Sequence, residues 1–154
     1  MDKQARMEAY LEKTMHENNV DQKETINGRM KSIKIGCSFE EKSITLGFPV
    51  QDWQANRGGK MHGGMICAAF DMTAAAVARF FAGENFAPTI SLDVKYIRPV
   101  ELGDTLIVTA KATATGRRIT QIVCEAVSKD TGKLAATAAT VYMNVDTIKE
   151  KQSI

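Results

Sequence analysis

At 154 residues, with 44% hydrophobic and 25% charged side chains and only 3 prolines, the chain has the composition of an ordinary one-domain globular protein, which excludes a low-complexity or largely disordered one. Twenty basic residues against 18 acidic ones leave a net charge of +2, and no block of like charge offers a footprint for nucleic acid or an anionic membrane surface. The widely spaced Cys37, Cys67 and Cys124 suggest neither a disulfide framework nor a zinc site, so a reducing, cytoplasmic setting is expected.

In chain order, Met7, Tyr10, Leu11 and Met15 mark one apolar face of a first helix over roughly residues 1–18. The charges in MDKQARMEAY argue against a signal peptide, and the longest uncharged apolar run, Met61–Phe70, is about half of a membrane span, so neither export nor a membrane-spanning segment is expected. After the polar stretch Asn18–Asn27, Ile33, Ile35, Cys37 and Phe39 alternate with polar neighbours. Ile44, Leu46, Phe48 and Val50 do the same beyond Glu40-Glu41-Lys42, which predicts a hairpin.

The loop DWQANRGGKM then leads into HGGMICAAFDMTAAAVARFFAG, opened by glycines, closed at Gly83 and charged only at Asp71 and Arg79, which reads as a buried helix. Four alternating runs follow: Ile90–Tyr96, Leu106–Ala114, Thr120–Ala126 and Leu134–Val145. Their joints at Pro99–Asp104, Gly116–Arg118 and Lys129–Gly132 are short enough for antiparallel neighbours. Eight alanines in the last three strands leave room for the helix to approach. The order α-ββ-α-ββββ predicts an α+β fold, a six-stranded antiparallel sheet curled around a central apolar helix, with its core at about 30–145 and a short polar tail after it.

Asp71, flanked by Ala68, Ala69, Phe70 and Met72, is costly to bury unless paired or used, and Arg79 lies about 12 Å further along the helix axis. A working carboxylate is therefore expected there. His62-Gly63-Gly64 opens the same helix, where unpaired N–H groups and the helix dipole can hold a carbonyl oxygen as it becomes an oxyanion. Asn56 adds a hydrogen-bonding amide. Cys67 reads as a small core residue. With His16 and His62 the sole histidines, no multi-histidine metal site is expected, and neither a nucleophile elbow nor a phosphate-binding loop occurs.

The pattern N56-x-x-G59-x-x-H62-G63-G64-x6-D71 resembles the signature of the hotdog-fold acyl-CoA thioesterases of the phenylacetate-pathway (PaaI-like) type, and SLDVKYIRPVELGD and KDTGKLAATAATVYM extend the likeness over most of the chain. The resemblance implies hydrolysis of a coenzyme A thioester, aryl or medium-chain acyl, by water, with no metal or cofactor. On the matching positions it implies Asp71 as general base or nucleophile, the Gly63 amide as carbonyl polariser, Asn56 as a second hydrogen bond at the thioester, and Thr89 as a hydroxyl that helps place the water.

His62 and Gly64 are expected to contact the substrate, and His62 is as well suited to orienting the loop as to donating a proton. Arg57, Lys60, Lys95, Arg98, Arg117 and Arg118 are candidates for the coenzyme A phosphates. Because Gly63 and Asp71 stand about 12 Å apart on one helix, a homodimer with shared sites, possible as a pair of dimers, is expected. A non-catalytic acyl-CoA sensor and an acyl-CoA hydratase or dehydratase are the alternatives.

Overall fold

The computed structural model describes residues 2–145, so the tail after Val145 lies outside the described residues. Asp2 accepts from the Ala5 N–H at 2.8 Å and caps helix α1, Lys3–His16, whose Met7, Tyr10, Leu11 and Met15 are buried as their spacing predicts. The α-helix gives way after His16 to a π-helical turn, Glu17–Asp21, and then to the short helix α2, Ile26–Arg29. Neither was legible in the polar stretch, which carries no apolar period. Gly28 lets α2 settle on the chain before it, since a Cβ there would lie 2.3 Å from Lys23 Cα.

Strands β1 (Ile33–Ser38), β2 (Ser43–Pro49), β3 (Thr89–Tyr96), β4 (Thr105–Thr115), β5 (Ile119–Ser128) and β6 (Leu134–Met143) form one antiparallel sheet in the order β1-β2-β4-β5-β6-β3. The predicted hairpin is β1-β2, and β6 stops at Met143 rather than Val145. Ile44, Leu46 and Phe48 of β2, Leu106 and Val108 of β4 and Ile122 of β5 join Phe70, Ala74 and Val77 in a single core. Each of these side chains other than Ala74 contributes about 1.5–3 kcal/mol through burial. Ala110, Ala126, Ala136 and Ala138 supply the low floor that the alanine-rich strands promise.

Helix α3, Gly63–Phe81, lies across this floor. By length and hydropathy alone it could cross a bilayer, yet nine of its residues are buried within the fold, and Tyr10 of α1 donates to its Ala76 carbonyl at 2.9 Å. The cover is incomplete along one stripe, where Ala68, Asp71, Met72, Ala75 and Arg79 are only half-buried.

Strand β3 is a sheet edge, and it is irregular. Thr89 pairs with Tyr142 and Ser91 with Val141, so Ile90 is an extra residue in a bulge. The bulge turns Ile90 outward, 52% exposed, rather than in line with Leu92 and Val94 as simple alternation predicts, and it turns Thr89 inward.

Candidate active site

The entrance to α3 is built from nearby residues. A short 3-10 turn, Asp52–Gln54, buries Gln54 almost completely, and the Gln54 carbonyl accepts the His62 N–H at 2.7 Å. Between them the chain loops out, with Gly59 at a φ of +72° that disfavours side chains. Asn56 Oδ1 accepts from the N–H groups of Gly58 and Lys60, at 2.9 and 3.1 Å, which orients its amide so that Nδ2 is the end left for a ligand. The loop is stitched to the bend after β3 by Met61 N–H on the Val100 carbonyl and by the Lys60–Glu101 ion pair at 2.6 Å.

His62 is the N-cap of α3, and its Nδ1 accepts the Gly64 N–H at 2.8 Å. Gly64 spends its amide on the cap, and His62 takes the loop-orienting part that its place before the helix suits, while both residues border the cleft at the helix start. Gly63 is left as the first helical N–H, with no acceptor among the described residues. It opens on a cleft of about 620 Å³ lined by Asn56, His62, Gly63, Tyr96, Arg98 and Pro99 among others. Tyr96, not picked out from the sequence, donates to the Gly63 carbonyl at 2.9 Å and stands 3.1 Å from the Cys67 sulfur. The neighbouring sulfur and partial burial push this phenol up to about 12, so it is protonated at neutral pH.

Asp71 sits two turns further on, half-buried, and does not line that cleft. Its Oδ1 accepts from Thr89 Oγ1 and from the Tyr142 hydroxyl, both at 2.7 Å, and Tyr142 also reaches the Asp71 carbonyl at 2.9 Å. Burial and the adjacent carboxylate push the fully buried Tyr142 phenol strongly up, which keeps it a donor. Among the described residues no donor reaches Oδ2. The carboxylate is thus anchored through one oxygen and presents the other. Asp71 also borders a separate small gap, about 110 Å³, that includes Thr14, Asn18, Asn27 and Arg79.

The predicted basic residues divide. Arg98 lines the cleft and donates to the Leu134 carbonyl at 2.8 Å, and Lys60 lines it too. Arg57 is exposed at the loop tip and is not part of the lining. Lys95 is corrected: it alternates with the inward-facing Val94 and Tyr96, projects from the outer face of β3 and pairs with Asp93 at 3.2 Å. Arg117 and Arg118 border a different hollow beside Asn144. A basic group the sequence did not single out, Lys23, Arg29 and Lys31, surrounds exposed Trp53 in a hollow of about 710 Å³. No group of three or more His, Cys, Asp or Glu side chains that could hold a metal occurs among the described residues.

A helix laid across an antiparallel sheet, opened by His-Gly-Gly and carrying one tethered carboxylate, is a hotdog-fold arrangement. Residues 58–135, just over half of the chain, match the thioesterase superfamily model, and the chain belongs to that superfamily. It is 31% identical over 87 residues to a Caenorhabditis elegans protein named as an esterase, F42H10.6, covering 56% of this chain and 52% of that one. It is 27% identical over 89 residues to acyl-coenzyme A thioesterase 13 of Mus musculus, covering 56% of this chain and 62% of that one. These matches span little more than half the length of either relative. Among solved structures, a phenylacetic acid degradation-related thioesterase of Ralstonia eutropha JMP134 superposes with a TM-score of 0.75 at 24% identity, over 87% of this chain and 98% of the other.

Proposed function

We propose that the protein is an acyl-CoA thioesterase that cleaves an aryl or medium-chain acyl thioester to the free acid and coenzyme A. The observation that carries this is the Asp71 carboxylate, fixed through Oδ1 by two hydroxyl donors with Oδ2 left to accept a water proton. In the reaction, water gives a proton to Oδ2 as its oxygen bonds to the thioester carbon. The carbonyl electrons collect on an oxyanion held by the Gly63 N–H and Asn56 Nδ2. Collapse expels the thiolate, which takes up the proton from Asp71. Thr89 holds the carboxylate, and Arg98 and Lys60, at the cleft wall, suit the phosphates of the leaving coenzyme.

Asp71 and Gly63 of one chain are about 12 Å apart along α3, too far to act on one carbonyl. We therefore propose a homodimer in which Asp71 of one subunit faces the Gly63 cleft of the other, and pairs of such dimers. Support comes from the half-buried stripe of α3 that carries Asp71 and from β3, whose outer edge has no strand beside it among the described residues. Three free thiols are consistent with a cytoplasmic, reducing location. Thiol release from a panel of acyl-CoAs, followed with a thiol-reactive dye, tests the activity. Stoichiometric binding with no release from any thioester would replace it with a sensor.

A further inference from the structure

The gap beside Asp71 runs along the half-buried stripe of α3 and contains Arg79 as well. Arg79 is half-buried, and its guanidinium forms no ion pair or hydrogen bond with another described residue. Its place in the last turn of α3 suits a cation through the helix dipole, but the dipole does not explain why the charge shares a cavity with the carboxylate. Two amides stand beside it. The π-helical turn places Asn18 one turn beyond Thr14 on the cavity wall, and Asn27 Nδ2 lies 3.4 Å from Asn18 Oδ1, which leaves Asn18 Nδ2 as a donor. The one carboxylate that lines the gap, Asp71, stands about 12 Å back along the helix axis, so at the Arg79 end the guanidinium and the Asn18 amide present donors suited to an anion.

Position sets where that anion belongs. Asp71 and Arg79 are about 12 Å apart along the axis, a separation that an acyl chain of several carbons spans. An acyl chain whose carbonyl is attacked beside Asp71 can lie along Met72 and Ala75 and end at Arg79. We propose that the acyl group carries a second carboxylate at its far end. The substrate is then the coenzyme A monothioester of a dicarboxylic acid with a spacer of a few methylenes, its free carboxylate held by Arg79 and Asn18. This rests on Asp71 being the reacting carboxylate.

The test is a matched panel on the purified full chain: glutaryl-, adipyl- and suberyl-CoA against the straight-chain acyl-CoAs of equal carbon number, with kcat and KM from thiol release. At one spacer length the diacid should be favoured by about tenfold or more in kcat/KM, with most of the difference in KM. Arg79→Met should bring that ratio close to one, and Arg79→Lys should restore part of it. A wild-type chain that favours the neutral member at every length would overturn the inference, whatever the variants do. So would a diacid preference unchanged in Arg79→Met, because the carboxylate would then be read elsewhere. In both cases Asp71-dependent turnover of neutral thioesters leaves the thioesterase reading standing. Absence of turnover on every thioester removes that reading and this inference together.

Discussion

The two halves of the site are made in opposite ways. The cleft at the start of α3 is local: Gln54, Asn56, Gly59, His62, Gly63 and Gly64 lie within eleven consecutive positions, and backbone amides and short loop hydrogen bonds shape it. The Asp71 half is non-local, because its carboxylate is tethered by Thr89 and Tyr142, 18 and 71 residues away. A local half can be formed as soon as its loop closes. The distant half depends on the register of β3 and β6 against the helix, so a shift of the sheet moves the Asp71 tethers directly, whereas it reaches Gly63 through Tyr96 and the bend after β3.

The largest expected effect removes the distant half outright: Asp71→Ala should lower kcat by about 10²-fold or more while the chain stays folded, read by steady-state thiol release and circular dichroism. Wild-type turnover in that variant would detach the carboxylate from the chemistry. Asn56→Ala, on the local half, should cost about 10-fold or more, the scale of a lost oxyanion-side donor. If the halves meet across subunits, Asn56→Ala and Asp71→Ala chains refolded together should recover about a quarter of wild-type activity, since half of the dimers regain one site of two. Proven subunit exchange without recovery would confine both halves to one chain.

Smaller effects separate tethering from chemistry. Tyr142→Phe and Thr89→Val should each lower kcat by about 3- to 10-fold with KM little changed. Tyr142→Phe should also cost roughly 1 kcal/mol of stability in urea titration, because a buried hydroxyl loses two acceptors. The pair should be non-additive, as both hydroxyls hold the same oxygen. Smallest of all, Lys95→Ala should change kcat/KM by less than about twofold, since its ammonium pairs with Asp93 on the outer face and exposed pairs of this kind contribute little.

The same division explains what could be read in advance. Alternating strands, the glycine-opened helix and its charged interruption at Asp71 leave local marks, and the antiparallel sheet and central helix follow from them. Tyr96 and Tyr142 left none: in the sequence each is one more inward residue on an alternating strand, and only pairing shows which phenol meets which helical residue. The outward placement of Lys95 follows from strand parity once Val94 is fixed inward, whereas the charge alone suggested a phosphate contact. The half-buried stripe of α3 was hidden because Ala68, Met72 and Ala75 look like core on any hydropathy scale.

The bulge at Ile90 bears on how residues are matched between distant chains. One residue more or less between Thr89 and Ser91 reverses the parity of position 89 relative to Leu92, so a hydroxyl at the aligned position in a relative meets the carboxylate only if that relative carries the same extra residue. Counting forward from the helix and counting backward from Pro99 then nominate different positions as the carboxylate's partner. An alignment scored on identity alone, with its gap placed anywhere in this segment, can hand the role to a side chain that points into solvent.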